Sequence, residues 1–254
     1  MTSDILPHII GIIPARYAST RLPGKPLALI AGWPMIEHVY RRAQEALSEV
    51  YVATDHELVA DAVRSFGGRV IMTSPLLRSG TERCEAAVSQ SAISADAVVN
   101  IQGDEPLIDP DDIRLVCRML REDPEAIATL ARVYDPQTDG FGALESKSHV
   151  KVVTDLRMNV MYFSRAVIPF VRDKSDGPAP RYLLHSGIYG FTTEMLRSIA
   201  RLAPSPLEQA ENLEQLRWME HGMRIRVGLT PNRSIPVDTP DDIALVEERL
   251  KQMQ

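Results

Sequence analysis

In the first half of the chain, short apolar runs alternate with amphipathic segments, and few folds accommodate that rhythm. The runs at 8–13, 49–53, 69–73, 96–101 and 126–132 read as strands, and the segments 34–47, 56–66, 80–90 and 110–121 between them read as helices. Strands and helices taking turns predict an α/β chain whose mostly parallel sheet carries helices on both faces. Asp109 precedes the fourth helix and Pro110 suits its first position.

The second half is less regular. Val150–Val153, Val160–Ser164, Ile188–Phe191 and Ile225–Leu229 read as strands, and 206–221 and 240–252 as helices. Asp238 or Thr239 is expected to cap the last helix, with Pro240 in its first turn. Between Arg172 and Pro180, charges, Gly and Pro predict an exposed loop.

At 254 residues with 44% hydrophobic content, a single domain over 1–254 is the simplest organisation. The net charge of −6 argues against nucleic acid as a partner. Cys84 and Cys117 fall in predicted helices and read as reduced, buried thiols. No apolar run approaches the ~20 residues that span a membrane, and the N-terminus does not resemble a secretory signal. A soluble, cytoplasmic protein is expected.

Against this acidic background one stretch stands out. No Asp or Glu occurs between Asp4 and Glu37, while Arg16, Arg21 and Lys25 all fall there. They follow the first predicted strand, in a loop marked by Pro14, Pro23, Gly24 and Pro26. Open α/β sheets bind ligands beyond the C-terminal ends of their strands. Three cations with no acid nearby in sequence call for an anion of several charges, such as a nucleoside triphosphate. Arg offers a planar fork to phosphate oxygens and Lys a mobile point charge. Gly24-Lys25-Pro26 lacks the spacing and hydroxyl of a P-loop, and no G-x-G-x-x-G follows the first strand. The dispersed histidines show no metal-ligand spacing, and no G-x-S-x-G elbow is present.

The segment PARYASTRLPGKPL (14–27) resembles the signature loop of sugar-activating nucleotidyltransferases, in particular the CMP-sugar synthetases. The resemblance continues through VATDHELVADAV (52–63), SGTER (79–83), VVNIQGDEP (98–106), KVV (151–153), YFSRAVIP (162–169), HSGIYGF (185–191), SPLEQAENLEQLR (205–217) and VDTPDDI (237–243). It spans nearly the whole chain in order. It is strongest to the branch that activates 3-deoxy-manno-octulosonate (KDO). It implies a Rossmann-like, mostly parallel mixed sheet of the nucleotide-diphospho-sugar transferase type. It also implies a small excursion, roughly 150–215, for sugar binding and dimerisation in a homodimer.

The implied reaction joins CTP and KDO, with Mg2+ as cofactor, to give CMP-KDO for lipopolysaccharide biosynthesis. Sialic acid or an amino analogue of KDO are the alternative acceptors, and a silent nucleotide-binding module is the alternative to an enzyme. Arg16, Arg21, Lys25, Asp104 and Asp238 are the expected catalytic residues. Asp104 and Asp238 are also the expected metal pair; on pattern alone the first reads rather as a turn acid and the second as a helix cap. Asp241 and Asp242 are expected to favour the helix dipole.

Pro14, Ala15, Arg16, Lys25, Arg78, Ser79, Gly80 and Gln102 are the expected nucleotide contacts. Ser79 with Glu82 also reads as a capping box. By the resemblance, Arg165, His185, Tyr189, Glu214 and Gln215 form the sugar pocket. By pattern alone His185 and Tyr189 read as structural, and Glu214 and Gln215 as a solvated helix face. Ser186 and Phe191 depart from the family's usual residues and leave the sugar preference open.

Overall fold

A computed structural model of the chain describes residues 6, 8–19, 21–140, 142–172 and 180–252. Its strands are β1 (Ile9–Ala15), β2 (Leu29–Ile30), β3 (Trp33–Pro34), β4 (Val50–Thr54), β5 (Arg69–Met72), β6 (Ala97–Asn100), β7 (Ile127–Val133), β8 (Lys151–Thr154), β9 (Val160–Ser164), β10 (Leu183–Thr192) and β11 (Ile225–Leu229). Its helices are α1 (Met35–Ala46), α2 (Glu57–Ser65), α3 (Gly80–Gln90), α4 (Pro110–Glu122), α5 (Pro136–Asp139), α6 (Thr193–Ile199), α7 (Pro206–Glu211), α8 (Glu214–Glu220) and α9 (Pro240–Gln252).

The main sheet runs β11-β7-β10-β6-β1-β4-β5. β6, β1, β4 and β5 are mutually parallel, as are β7 and β11. β10 is inserted antiparallel between β6 and β7, so all the parallel strands point to the same edge. The antiparallel pair β8–β9 attaches to the start of β10. The α/β expectation holds, with β10 making the sheet mixed.

β1 shows why the apolar runs are continuous. Ile9 and Ile13 face a layer with Ile36 and Val39 of α1, Val59 of α2 and Val116 of α4. Ile10 and Ile12 face the opposite layer, with Cys84 and Ala87 of α3, Leu196 of α6 and Trp218 of α8. Side chains alternate along a strand, so burial on both faces demands apolar residues at consecutive positions. Cys84 and Cys117 are buried free thiols in α3 and α4, as expected.

Two expectations need correction. The segment 206–221 is not one helix: Asn212 adopts φ 52°, ends α7 and lets α8 start in a new direction. Asn tolerates this left-handed conformation better than most residues. The strand expected at Ile188–Phe191 begins earlier, at Leu183, and its register shifts between Ser186 and Tyr189. The alternation is lost there, so the pattern hides the strand's first half. α5, α6 and the β2–β3 hairpin also escape the sequence pattern. Residues 173–179 of the expected loop lie outside the described residues.

Candidate active site

A cavity of about 600 Å³ opens beyond the C-terminal ends of β1 and β6. Pro14, Ala15, Arg16, Arg21 and Lys25 reach it from the loop after β1. Arg78, Ser79 and Gly80 reach it from the start of α3, Gln102 and Asp104 from the end of β6, and Asp238 from the start of α9. Every expected catalytic and nucleotide-binding residue therefore lines one cavity. None of the five expected sugar residues is among its lining residues.

The cationic loop is held from below. Gly24 takes φ 67°, a left-handed conformation that suits Gly, and opens a short 3-10 turn over Lys25–Leu27. The ring of Tyr17 stacks on His56, with centroids 3.9 Å apart and an interplanar angle of 15°. The Tyr17 backbone N–H donates to Asp55 Oδ1 at 3.1 Å. Asp55 in turn pairs with Arg83 at 3.1 Å, and the two side chains are only 7% and 3% exposed. Arg83 also donates to Thr73 Oγ1 at 2.6 Å and lines the cavity floor. Sequence reasoning assigned Arg83 and Asp55 no role. The available signal was position: Arg83 shares a helix face with Ala86 and Ala87, which are buried.

The two acids meet because two chain segments are tied together. The Val237 N–H donates to the Asp104 carbonyl at 2.8 Å, and the Val237 side chain is anchored in a small core with Ile30, Leu107 and Val246. Gly103 permits the approach of the β6 loop to β1, since a Cβ there would lie 2.7 Å from the Pro14 carbonyl oxygen. Asp242 Oδ2 accepts from the Asp238 and Thr239 backbone N–H groups at 2.9 and 2.8 Å. Asp242, the third residue of α9, thus makes the return bond of a capping box to Thr239, and among the described residues no hydrogen bond between the Asp238 side chain and the first turn is seen. The Asp238 carboxylate is left to face the cavity.

Lys25 Nζ stands between the acids, 2.6 Å from Asp104 Oδ2 and 2.9 Å from Asp238 Oδ1. Arg21 Nη2 also reaches Asp238 Oδ1, at 2.9 Å. Burial works against the Lys25 ammonium, but Asp104 and then Asp238 more than offset it and raise its pKa. The loop cations, which have no acid nearby in sequence, therefore find acids across the fold. Among the described residues only Arg16 of the three lacks a hydrogen-bond or ion-pair partner.

At the start of α3, Ser79 accepts from the Glu82 N–H at 3.1 Å. The Glu82 carboxylate returns to the Arg78 N–H at 2.8 Å, one residue short of the reciprocal bond of a capping box. The same carboxylate holds the Arg78 guanidinium at 2.8 Å. Glu214 joins this corner: it accepts from Ser79 Oγ at 2.7 Å, Thr81 Oγ1 at 2.8 Å and Arg217 Nη2 at 2.8 Å. Burial pushes its carboxyl up against the pull of those donors. Glu214 is not a solvated helix residue but a joint between α8 and α3.

The remaining sugar candidates lie in or beside β10. Arg165 donates to the backbone carbonyls of Glu211, Lys147 and Asn212 at 2.8, 2.7 and 3.2 Å, so its guanidinium staples three chain segments. His185 Nε2 lies 2.9 Å from Thr129 Oγ1, and desolvation pushes its imidazole down to about 3, leaving the ring neutral. Tyr189 is 7% exposed and packs edge-on to Trp218. Gln215 is buried on α8. A link to the cavity runs through Gln102, whose Nε2 donates to the Gly187 carbonyl at 3.0 Å, in the irregular stretch of β10.

Comparisons with known proteins place the chain as a whole. Residues 10–225 match the family model for cytidylyltransferase. The chain is 46% identical over 248 residues to the 3-deoxy-manno-octulosonate cytidylyltransferase of Phocaeicola vulgatus, covering 96% of this chain and 98% of that one. It is 46% identical over 244 residues to the 8-amino-3,8-dideoxy-manno-octulosonate cytidylyltransferase of Shewanella sediminis, covering 94% and 97%. A solved structure of CMP:2-keto-3-deoxy-manno-octonic acid synthetase complexed with CTP superimposes with a TM-score of 0.88 at 41% identity, covering 97% and 100%. The fold is that of a nucleotidyltransferase. The chain belongs to the cytidylyltransferase family.

Proposed function

We propose that this protein transfers a cytidylyl group from CTP to the anomeric hydroxyl of KDO, giving CMP-KDO and pyrophosphate for lipopolysaccharide biosynthesis. The observation that carries the reading is the cavity itself. Three loop cations face two carboxylates there, in a chain that matches KDO cytidylyltransferases over nearly its full length.

The sugar hydroxyl attacks the α-phosphorus and pyrophosphate leaves in line. Such chemistry rests on positioning and charge stabilisation. Arg16, exposed and without a partner among the described residues, is free to take a phosphate oxygen. Arg21 and Lys25 stabilise charge on the leaving pyrophosphate. Ser79, Gly80 and Gln102 lie where the base and ribose would sit, and the rigid Asp55–Arg83 pair keeps the loop in place through Tyr17.

Asp104 and Asp238 fit a magnesium site: they are hard oxygen donors converging on a single cation position. Magnesium commonly takes one or two carboxylates together with substrate phosphates. The ion would neutralise charge at the α-phosphate.

For the acceptor, Glu214, Gln215, His185 and Tyr189 are proposed to surround the sugar next to Gln102. The region 150–215 is proposed to build a homodimer; the exposed Leu156, Met161 and Phe170 support this. Sedimentation would test it, and a monomer at micromolar concentration would refute it. Among the described residues no helix is long and apolar enough to cross a membrane, and the site of action is proposed to be the cytoplasm.

The equal identity to the 8-amino relative keeps that amino sugar as the second acceptor. The deciding experiment follows pyrophosphate release from CTP and Mg2+ with KDO, its 8-amino analogue, sialic acid or no sugar. Release with KDO above the others supports the proposal. Release with the amino sugar alone would move the chain to the other branch. Absence of release with every sugar would refute the reaction.

A further inference from the structure

Lys25 occupies the position that a cation shared by Asp104 and Asp238 would take. Its ammonium is 2.6 and 2.9 Å from one oxygen of each acid, and the side chain is only 13% exposed. Arg21 adds a second cation on Asp238 at 2.9 Å. Two carboxylates and two cations make a neutral quartet. A divalent ion approaching the pair meets an ammonium where it would have to sit, and a positive field around it. Like charges at such separations repel, and the repulsion is felt most by the largely buried Lys25 ammonium.

The geometry also says how the position could be vacated. The Lys25 backbone is fixed: its N–H donates to the Leu22 carbonyl at 3.0 Å, and Gly24 and buried Pro26 flank it in the 3-10 turn. The flexible stem of lysine lets the ammonium move while that backbone stays. The cavity beside it holds Arg16 with no partner among the described residues. A polyphosphate entering there offers the ammonium several anionic oxygens in exchange for two.

We propose that Lys25 is a resident counter-ion that blocks the Asp104–Asp238 pair against a divalent cation until a polyphosphate draws it off. Metal and nucleotide are then taken up together, and the free protein holds little metal. The inference rests on the reading of Asp104 and Asp238 as the metal pair. It concerns what guards that pair, not the pair itself.

Mn2+ binding to the full-length protein, followed by electron paramagnetic resonance of the free ion, tests it without turnover. Without nucleotide, Lys25→Met is expected to bind Mn2+ about tenfold more tightly than the unsubstituted protein, through loss of a close opposing charge. Arg21→Met, at a side chain 65% exposed where packing is not at stake, is expected to give a smaller gain of about threefold. Addition of CTP to the unsubstituted protein should recruit Mn2+ beyond what the same CTP binds without protein, and Asp104→Asn should abolish that excess recruitment.

If Asp104→Asn abolishes recruitment but neither Met variant gains affinity, the blocking role is overturned and the metal pair stands. If recruitment by CTP survives both Asp104→Asn and Asp238→Asn, the metal pair itself falls, and the blocking role with it.

Discussion

The region facing the phosphates and the region assigned to the acceptor sugar are built on opposite plans. Around the cavity, charged groups from four chain segments line an open space, most of them in ion pairs with one another, and Arg16 is unpaired among the described residues. Around β10, polar side chains are already spent. Arg165 is committed to three carbonyls, His185 contacts Thr129, and Glu214 is held by Ser79, Thr81 and Arg217. The first region offers a ligand an open cavity and one unpaired cation among the described residues, and only Lys25 and Arg21 have to leave their acids. The second must exchange existing bonds before it can hold a sugar. This difference predicts that nucleotide binds readily alone, while the acceptor site forms fully only as those contacts rearrange.

Asp104→Ala makes the largest test of the comparison. Turnover should fall about a thousandfold, the scale of removing one directed electrostatic group. The fold should persist, because the Asp104 carbonyl, not its side chain, ties down Val237. Pyrophosphate release together with circular dichroism would check this. Unchanged turnover would remove Asp104 from the chemistry and erase the distinction between the two regions.

Asp55→Ala attacks the scaffold of the phosphate region instead. It strands Arg83 as a buried charge, which should cost about 3 kcal/mol of stability, and it frees the Tyr17 N–H from its acceptor. The melting temperature should drop, and KM for CTP should rise while KM for the acceptor stays put. A matching rise in both KM values would mean that the two regions are one mechanical unit.

Glu214→Gln probes the joint. The resemblance assigns Glu214 to the sugar, yet its carboxylate orders the start of α3 on the nucleotide side. Weakening hydrogen bonds to a charged group should raise KM for CTP by about tenfold. A change confined to the acceptor KM would return Glu214 to the sugar region alone.

The phosphate region was also the more legible one, for a physical reason. Arg16, Arg21 and Lys25 follow one strand within one loop, so proximity in sequence stands in for proximity in space. The β1 run was legible because burial on both faces leaves it no polar positions. What could not be read was set by distant partners or by single backbone angles. Asp55 and Arg83 each look like surface charges until the fold buries them together. The turn at Asn212 hides inside an unbroken helical pattern because one left-handed residue leaves no trace in periodicity. The first half of β10 is masked by its register shift. Asp104 and Asp238 were paired by family resemblance. The backbone bond from Val237 to Asp104 is the physical cause of that pairing, and no local pattern announces it.

The smallest expected effect lies in the acceptor region and appears only on acidification. Desolvation holds the His185 pKa at about 3 in the folded chain, against about 6.5 for an unperturbed imidazole. Above the unfolded value both states are neutral, and the residue adds no pH dependence. As pH falls below it, the unfolded chain takes a proton that the folded chain refuses, so stability declines until the folded value is reached. His185→Gln should therefore flatten part of the acid limb of the stability curve between those two values and leave the neutral region unchanged. Urea melts across that range would measure it. If the acid limb keeps its slope, His185 is protonated in the folded chain, and the acceptor region is wetter and more open than its packing against Phe163 and Tyr189 indicates.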